Sequence, residues 1–158
     1  MRWIWIDRFI DFQPHRSATA VKNVSLAEEH LHDHWAACPI MPFSLMIEGV
    51  AQTGGILVGH ARGFAEKVIL AKIAKAELNA VVRPGDQLIY HAEITNIAEG
   101  AAAVAAEIRR GGEVIGTVDL MFSHIDQNLS GMTFPKENFV FTDQFLRLLA
   151  QFTRESGT

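Results

Sequence analysis

HLHDHWAACPIMPFSLMIEGVAQTGGILVGH, residues 30–60, decides how the rest of the chain is read. From Leu45 to Val58 the only charged side chain is Glu48, and Leu45, Met46, Ile47, Val50, Ala51, Ile56, Leu57 and Val58 put apolar groups on every face of a helix drawn through the segment. A helix that is apolar all round is predicted to be buried. Burying an unpaired carboxylate costs roughly several kcal/mol. Glu48 therefore needs either a structural partner or a task as an acid that its surroundings hold in the protonated form. Gln52, at i+4, shares its face and is the candidate orienting hydrogen-bond partner.

The approach to this helix carries the complementary chemistry. His30, His32 and His34 alternate ahead of Trp35, and Pro39 and Pro42 stiffen the chain after it. Pro42 suits the first helical position, where its missing N–H costs nothing. Met41 is then the N-cap and has no side-chain acceptor to offer the first-turn amides. Those near Phe43 and Ser44 are left open to something negative. A histidine base, a buried acid and an open helix N-terminus are the parts needed to enolise a carbonyl compound and expel a β-hydroxyl group.

Outward from the helix the periodicity changes. Residues 3–12 and 16–24 read as strands, and 26–30 as a short helical turn. The central helix is expected over about 43–60, ending near Gly59 or Gly63. Residues 67–82 read as a strand with a break whose place is open, followed by a turn at Pro84-Gly85-Asp86. Three long antiparallel strands follow at 87–97, 101–110 and 113–124, with Glu99-Gly100 and Gly111-Gly112 as hairpin turns. One buried helix with a meander of long strands makes an α+β fold in which the sheet wraps the helix. Gly49, Gly54, Gly55 and Gly59 weaken that helix by about 1 kcal/mol each, so close contact with the sheet, or with a second subunit's helix, is their expected use. Residues 1–124 form the domain, and 125–158 a C-terminal extension. In the extension 142–153 reads as a short amphipathic helix, with Thr142 as N-cap and Phe145, Leu148, Leu149 and Phe152 on the face that packs on the domain.

Composition limits the possibilities further. The chain has 158 residues, one domain by length, with a net charge of −4 that argues against nucleic-acid binding. Its single cysteine, Cys38, excludes an intramolecular disulfide and fits a reducing compartment. Cys38 reads as a buried or half-buried structural thiol. The start, MRWIWIDRFI, is interrupted by Asp7 and Arg8 and is too short for a signal peptide or membrane span. A cytoplasmic location is the expectation.

Residues 33–52, DHWAACPIMPFSLMIEGVAQ, resemble the central motif of the bacterial 3-hydroxyacyl-acyl-carrier-protein dehydratases of the FabZ/FabA type, roughly G-H-F-P-G-x-P-x-M-P-G-V-L-x-x-E-A-x-A-Q. His34, Pro39, Met41, Pro42, Leu45, Glu48, Ala51 and Gln52 stand at the motif's spacing. Outside it, IDRFI (6–10), KNVS (22–25) and PGDQL (84–88) resemble the family's V-D-R-V-L, K-N-V-S and P-G-D-Q-L, so the resemblance covers about residues 4–124. It implies the hotdog fold and a hydro-lyase that turns 3-hydroxyacyl-ACP into the trans-2-enoyl thioester for fatty acid or related lipid biosynthesis. It implies His34 as base and Glu48 as acid, facing each other from two subunits of a homodimer or an assembly of dimers, with a tunnel for the acyl chain between them. No cofactor is implied beyond the phosphopantetheine arm of the acyl carrier protein, which is the expected partner.

The departures include the C-terminal extension, residues 125–158, which is longer than the plain family needs, and several changes within the motifs. Gly-His-Phe-Pro-Gly becomes Asp33-His34-Trp35-Ala36-Ala37, Met-Pro-Gly becomes Met41-Pro42-Phe43, and an arginine of the following strand becomes Glu77. Phe43 keeps the N–H of the expected oxyanion donor while its ring, with Trp35 and Met41, narrows the tunnel. A metal on His30, His32 and His34 is conceivable by ligand type but would take His34 from its role as base, so no metal is expected. A hotdog acyl thioesterase, a CoA-linked enoyl hydratase and a non-catalytic acyl-binding subunit remain as alternatives.

Overall fold

The computed structural model describes residues 4–34, 37–125, 138, 140–143, 146–147 and 149–150, without the side chains of 32–34. The elements are β1 (Arg8–Gln13), β2 (Ser17–Asn23), α1 (Glu29–His34), α2 (Phe43–Ala61), β3 (Lys67–Leu78), β4 (Gln87–Ile97), β5 (Ala101–Arg110) and β6 (Glu113–Ile125). The strands form one antiparallel sheet in the order β1-β2-β4-β5-β6-β3. Helix α2 lies against five of the six strands, β2 to β6, so the sheet curls around it in the hotdog arrangement. Among the described residues no helix is long and apolar enough to cross a membrane.

Alternation makes the sheet one-sided. In β5, Ala102, Val104, Ala106 and Ile108 are buried while the residues between them are partly exposed, the period-2 pattern of a strand with one face on a core. The β5–β6 hairpin turns on Gly111 (φ 56°) and Gly112 (φ 89°), the two positive values that a two-residue turn matching strand twist requires. The break expected in β3 takes the form of register shifts at Leu70/Lys72 and Ile73/Lys75.

The helix glycines let α2 approach the sheet. A Cβ on Gly49 would collide with the ring of Tyr90, and one on Gly54 would sit 3.1 Å from Val104. Tyr90 is fully buried. Its hydroxyl has no hydrogen-bond partner among the described residues, and burial, with the Asp7 and Glu28 carboxylates, holds it protonated well above the usual range.

Three expectations change at element ends. β1 begins at Arg8 rather than near residue 3, because the Trp5 amide bonds to Gln52 Oε1 (2.8 Å) instead of joining the ladder. The N-cap of α2 is Pro42, whose ψ of 139° is extended; Phe43, not Pro42, is the first helical residue. Cys38 is exposed and accepts a hydrogen bond from Arg83 Nη1 (3.4 Å); it lies in the irregular link between α1 and α2, away from the core.

Of the extension, Leu146 N–H bonds to Thr142 O (2.9 Å), and Leu149 is buried. Half of the helix expected over 142–153, including Phe145, Leu148 and Phe152, lies outside the described residues.

Candidate active site

The three motif fragments outside residues 33–52 meet in space. Asp7 Oδ2 accepts from the Asn23 backbone N–H (2.6 Å) and from Asn23 Nδ2 (2.9 Å), and Asn23 Oδ1 accepts from Gln87 Nε2 (2.8 Å). Val24 N–H bonds to Asp86 O and Gly85 N–H to Val24 O, each at 2.9 Å. Buried Lys22 pairs with Glu28 and, at 3.7 Å, with Asp7. A buried ammonium is stable only when so compensated. This network fixes the segment that carries Trp5, and the Trp5 amide holds Gln52.

Gln52 in turn donates from Nε2 to Glu48 Oε1 at 2.9 Å, so the i+4 spacing does bring the two side chains together. Glu48, however, is exposed on this chain. The expectation of a carboxylate buried on an all-apolar helix fails here for a definite reason. The helix is wholly buried only from Gly49 to Gly59, and its first turns leave Leu45 and Ile47 half-buried and Phe43 45% exposed. Among the described residues nothing covers the N-terminal end.

That end is chemically open. Leu45 and Met46 N–H both bond to Pro42 O (3.0 and 3.3 Å), no side chain caps the helix, and the Phe43 and Ser44 amides have no acceptor among the described residues. With the dipole adding partial positive charge, such amides favour a developing anion.

From Glu48 and Gln52 a cleft of about 130 Å³ runs along α2, lined beyond them by Ala51, Gly55 and Ile56 of the helix, Val68 and Leu70 of β3, Phe122 of β6, and Val140 and Phe141. It is polar at one end and apolar along its length, the form that suits a chain carrying one reactive head group. Met41 and Phe43, which the sequence offers for a tunnel, are not among the described residues that line this cleft. Met41 is 1% exposed and belongs to the core, where its N–H bonds to Val82 O (2.9 Å). Phe43 is on the surface, so its ring does not narrow the cleft of its own chain. The Trp35 position and the His34 side chain lie outside the described residues. Val68, Leu70, Phe122, Val140 and Phe141 were missed, since no helical spacing links them to Glu48.

A family model described as FabA-like domain matches residues 3–118. The chain belongs to the FabA-like family. The 3-hydroxyacyl-[acyl-carrier-protein] dehydratase FabZ of Caldanaerobacter subterraneus subsp. tengcongensis is 36% identical over 121 residues, 76% of this chain and 86% of the relative. The FabZ of Listeria monocytogenes is 31% identical over 125 residues, 78% and 87% of the two chains. Among solved structures, the dehydratase heterocomplex ApeI:P from Xenorhabdus doucetiae superposes with a TM-score of 0.65 at 17% identity, over 77% of this chain and 83% of that one. The thioesterase HI1161 from Haemophilus influenzae superposes with a TM-score of 0.59 at 14% identity, over 73% and 76%. These two likenesses concern the hotdog fold, which serves both reactions; the FabA-like membership rests on the sequence relatives.

Proposed function

We propose that this FabA-like protein dehydrates 3-hydroxyacyl-ACP to trans-2-enoyl-ACP in fatty acid or related lipid biosynthesis. The observation that carries the reading is the Gln52–Glu48 hydrogen bond at the mouth of an apolar cleft, next to uncapped amides at the start of α2. His34 removes the proton at C2. Charge builds on the thioester oxygen, which the Phe43 and Ser44 amides stabilise. Glu48, oriented by Gln52, protonates the hydroxyl at C3; the C–O bond breaks and water leaves. The proton from C2 stays on His34 until it is passed to solvent. The reaction draws only on the substrate's thioester, carried by the phosphopantetheine arm of an acyl carrier protein in the cytoplasm.

The working unit in this proposal is a two-fold homodimer, with His34 of one chain facing Glu48 of the other. The chain's own fold covers α2 from Gly49 to Gly59. One apolar surface left open is β3, an edge strand exposed throughout residues 70–77, with Leu70 38% and Ile73 45% exposed. A long edge with apolar side chains invites pairing with another strand. Leu70 also lines the cleft, so a partner seated on β3 would cover the side on which Glu48 is exposed and provide the dry surroundings that acid catalysis needs.

The test is the product. Incubated with crotonyl-ACP, the protein is expected to form 3-hydroxybutyryl-ACP by the reverse reaction, with free thiol staying at background. Thiol release without hydration would replace the dehydratase reading with a thioesterase. Hydration of the CoA ester alone would make it a CoA-linked hydratase.

A further inference from the structure

We propose that the C-terminal extension sets the length of acyl chain the protein accepts, with Phe141 and Val140 as the end wall of the cleft that begins at Glu48. The inference rests on the reading of that cleft as the acyl site. The cleft residues of α2, namely Glu48, Ala51, Gln52, Gly55 and Ile56, are spaced by three and four and form one stripe of the helix. The next position on the stripe is Gly59. There the stripe ends under Phe141, whose ring lies so close that a Cβ on Gly59 would come within 2.6 Å of it. From Glu48 to Gly59 the helix rises roughly 16 Å at 1.5 Å per residue. That span is the ruler, and Phe141 is its stop.

The stop is held in place. Phe141 is 4% exposed and meets Phe64 edge-on, with ring centroids 5.0 Å apart. Asn138 acts as a clamp beneath it. Its Nδ2 donates to the carbonyls of Phe64 (3.1 Å) and Glu66 (3.3 Å), and its Oδ1 accepts from the N–H groups of Val140 (3.1 Å) and Phe141 (2.9 Å). One amide thus ties the extension to the link between α2 and β3. A wall held in this way discriminates; one that could swing aside would not. A chain that outruns the span from Glu48 to Gly59 meets Phe141, and a shorter one does not.

The experiment compares kcat/KM for 3-hydroxybutyryl-ACP and 3-hydroxyoctadecanoyl-ACP in the wild type, Phe141→Ala, Val140→Ala and Val140→Phe. Phe141→Ala is expected to raise the long-to-short ratio roughly tenfold or more, the scale of a methylene-sized misfit in an apolar pocket. Val140→Ala should raise it less, and Val140→Phe should lower it. Asn138→Ala, which leaves every lining side chain in place, should also raise the ratio, an effect that a purely structural clamp would not have. If Phe141→Ala does not fold, the two variants at half-buried Val140 decide. An unchanged ratio in folded variants that turn over the short substrate overturns the end-wall assignment alone. Failure of the wild type to turn over either substrate overturns the dehydratase reading and this inference with it.

Discussion

Replacing His34 by alanine is expected to lower dehydration by at least about 10²-fold, the usual scale for a positioned general base. Glu48→Gln should do comparable damage. Glutamine keeps the size and the hydrogen-bonding capacity of the side chain beside Gln52 (2.9 Å from it in the wild type) and removes only the transferable proton. Since glutamine matches glutamate in size and can keep the bond to Gln52, the melting temperature should stay within a few degrees of wild type, so that activity is lost while the fold is kept. The check is kcat for 3-hydroxybutyryl-ACP alongside a thermal melt. Near-normal turnover by a folded His34→Ala protein would remove the mechanism.

The largest stability effect is expected at Gly49. The family motif has alanine after its glutamate, but here Tyr90 occupies the space into which a Cβ would project. The phenol is fully buried and cannot swing into solvent. Alanine would gain about 1 kcal/mol in helix propensity, whereas overpacking a core typically costs about 1–3 kcal/mol. Valine carries the larger clash and loses most of the propensity gain. Gly49→Val is therefore expected to destabilise by about 3 kcal/mol, and Gly49→Ala by less. At roughly 2–4 °C per kcal/mol for a chain of this size, the valine variant should melt near 10 °C lower. A Tyr90→Val background should recover much of the loss, since the two residues share one clash and their effects cannot be additive. Equal losses in both backgrounds would mean that the tyrosine is not what Gly49 accommodates.

Local signals carried the sheet and the helix. β4 and β5 lie where alternation and the flanking glycines placed them, at Gln87–Ile97 and Ala101–Arg110, because turn chemistry and period-2 patterning are written in neighbouring residues. The Glu48–Gln52 pair was legible for the same reason: i and i+4 are neighbours on any helix. What the pattern could not supply was solvent. Leu45 and Ile47 are apolar on paper and half-buried in one chain, so the same composition that predicts burial of Glu48 describes a surface still awaiting cover. Nor could spacing reveal the cleft's far end, since Phe141 reaches α2 through Asn138's bonds to residues 64 and 66 and through contact with Gly59. The exposed apolar edge at β3 was hidden for a related reason. An edge strand cannot be told from a central one by its own sequence, and β3 is recognisable as an edge only once the strand order is known.

In the proposed site Glu48 of one subunit works with His34 of another. The most direct test mixes His34→Ala and Glu48→Gln subunits, each nearly inactive as a homodimer, and measures 3-hydroxybutyryl-ACP dehydration after exchange. A mixed dimer brings one intact His34 opposite one intact Glu48, so activity should return to as much as half of the wild-type value per mixed dimer. Mixed dimers confirmed by mass spectrometry that remain as inactive as the parents would contradict the shared site.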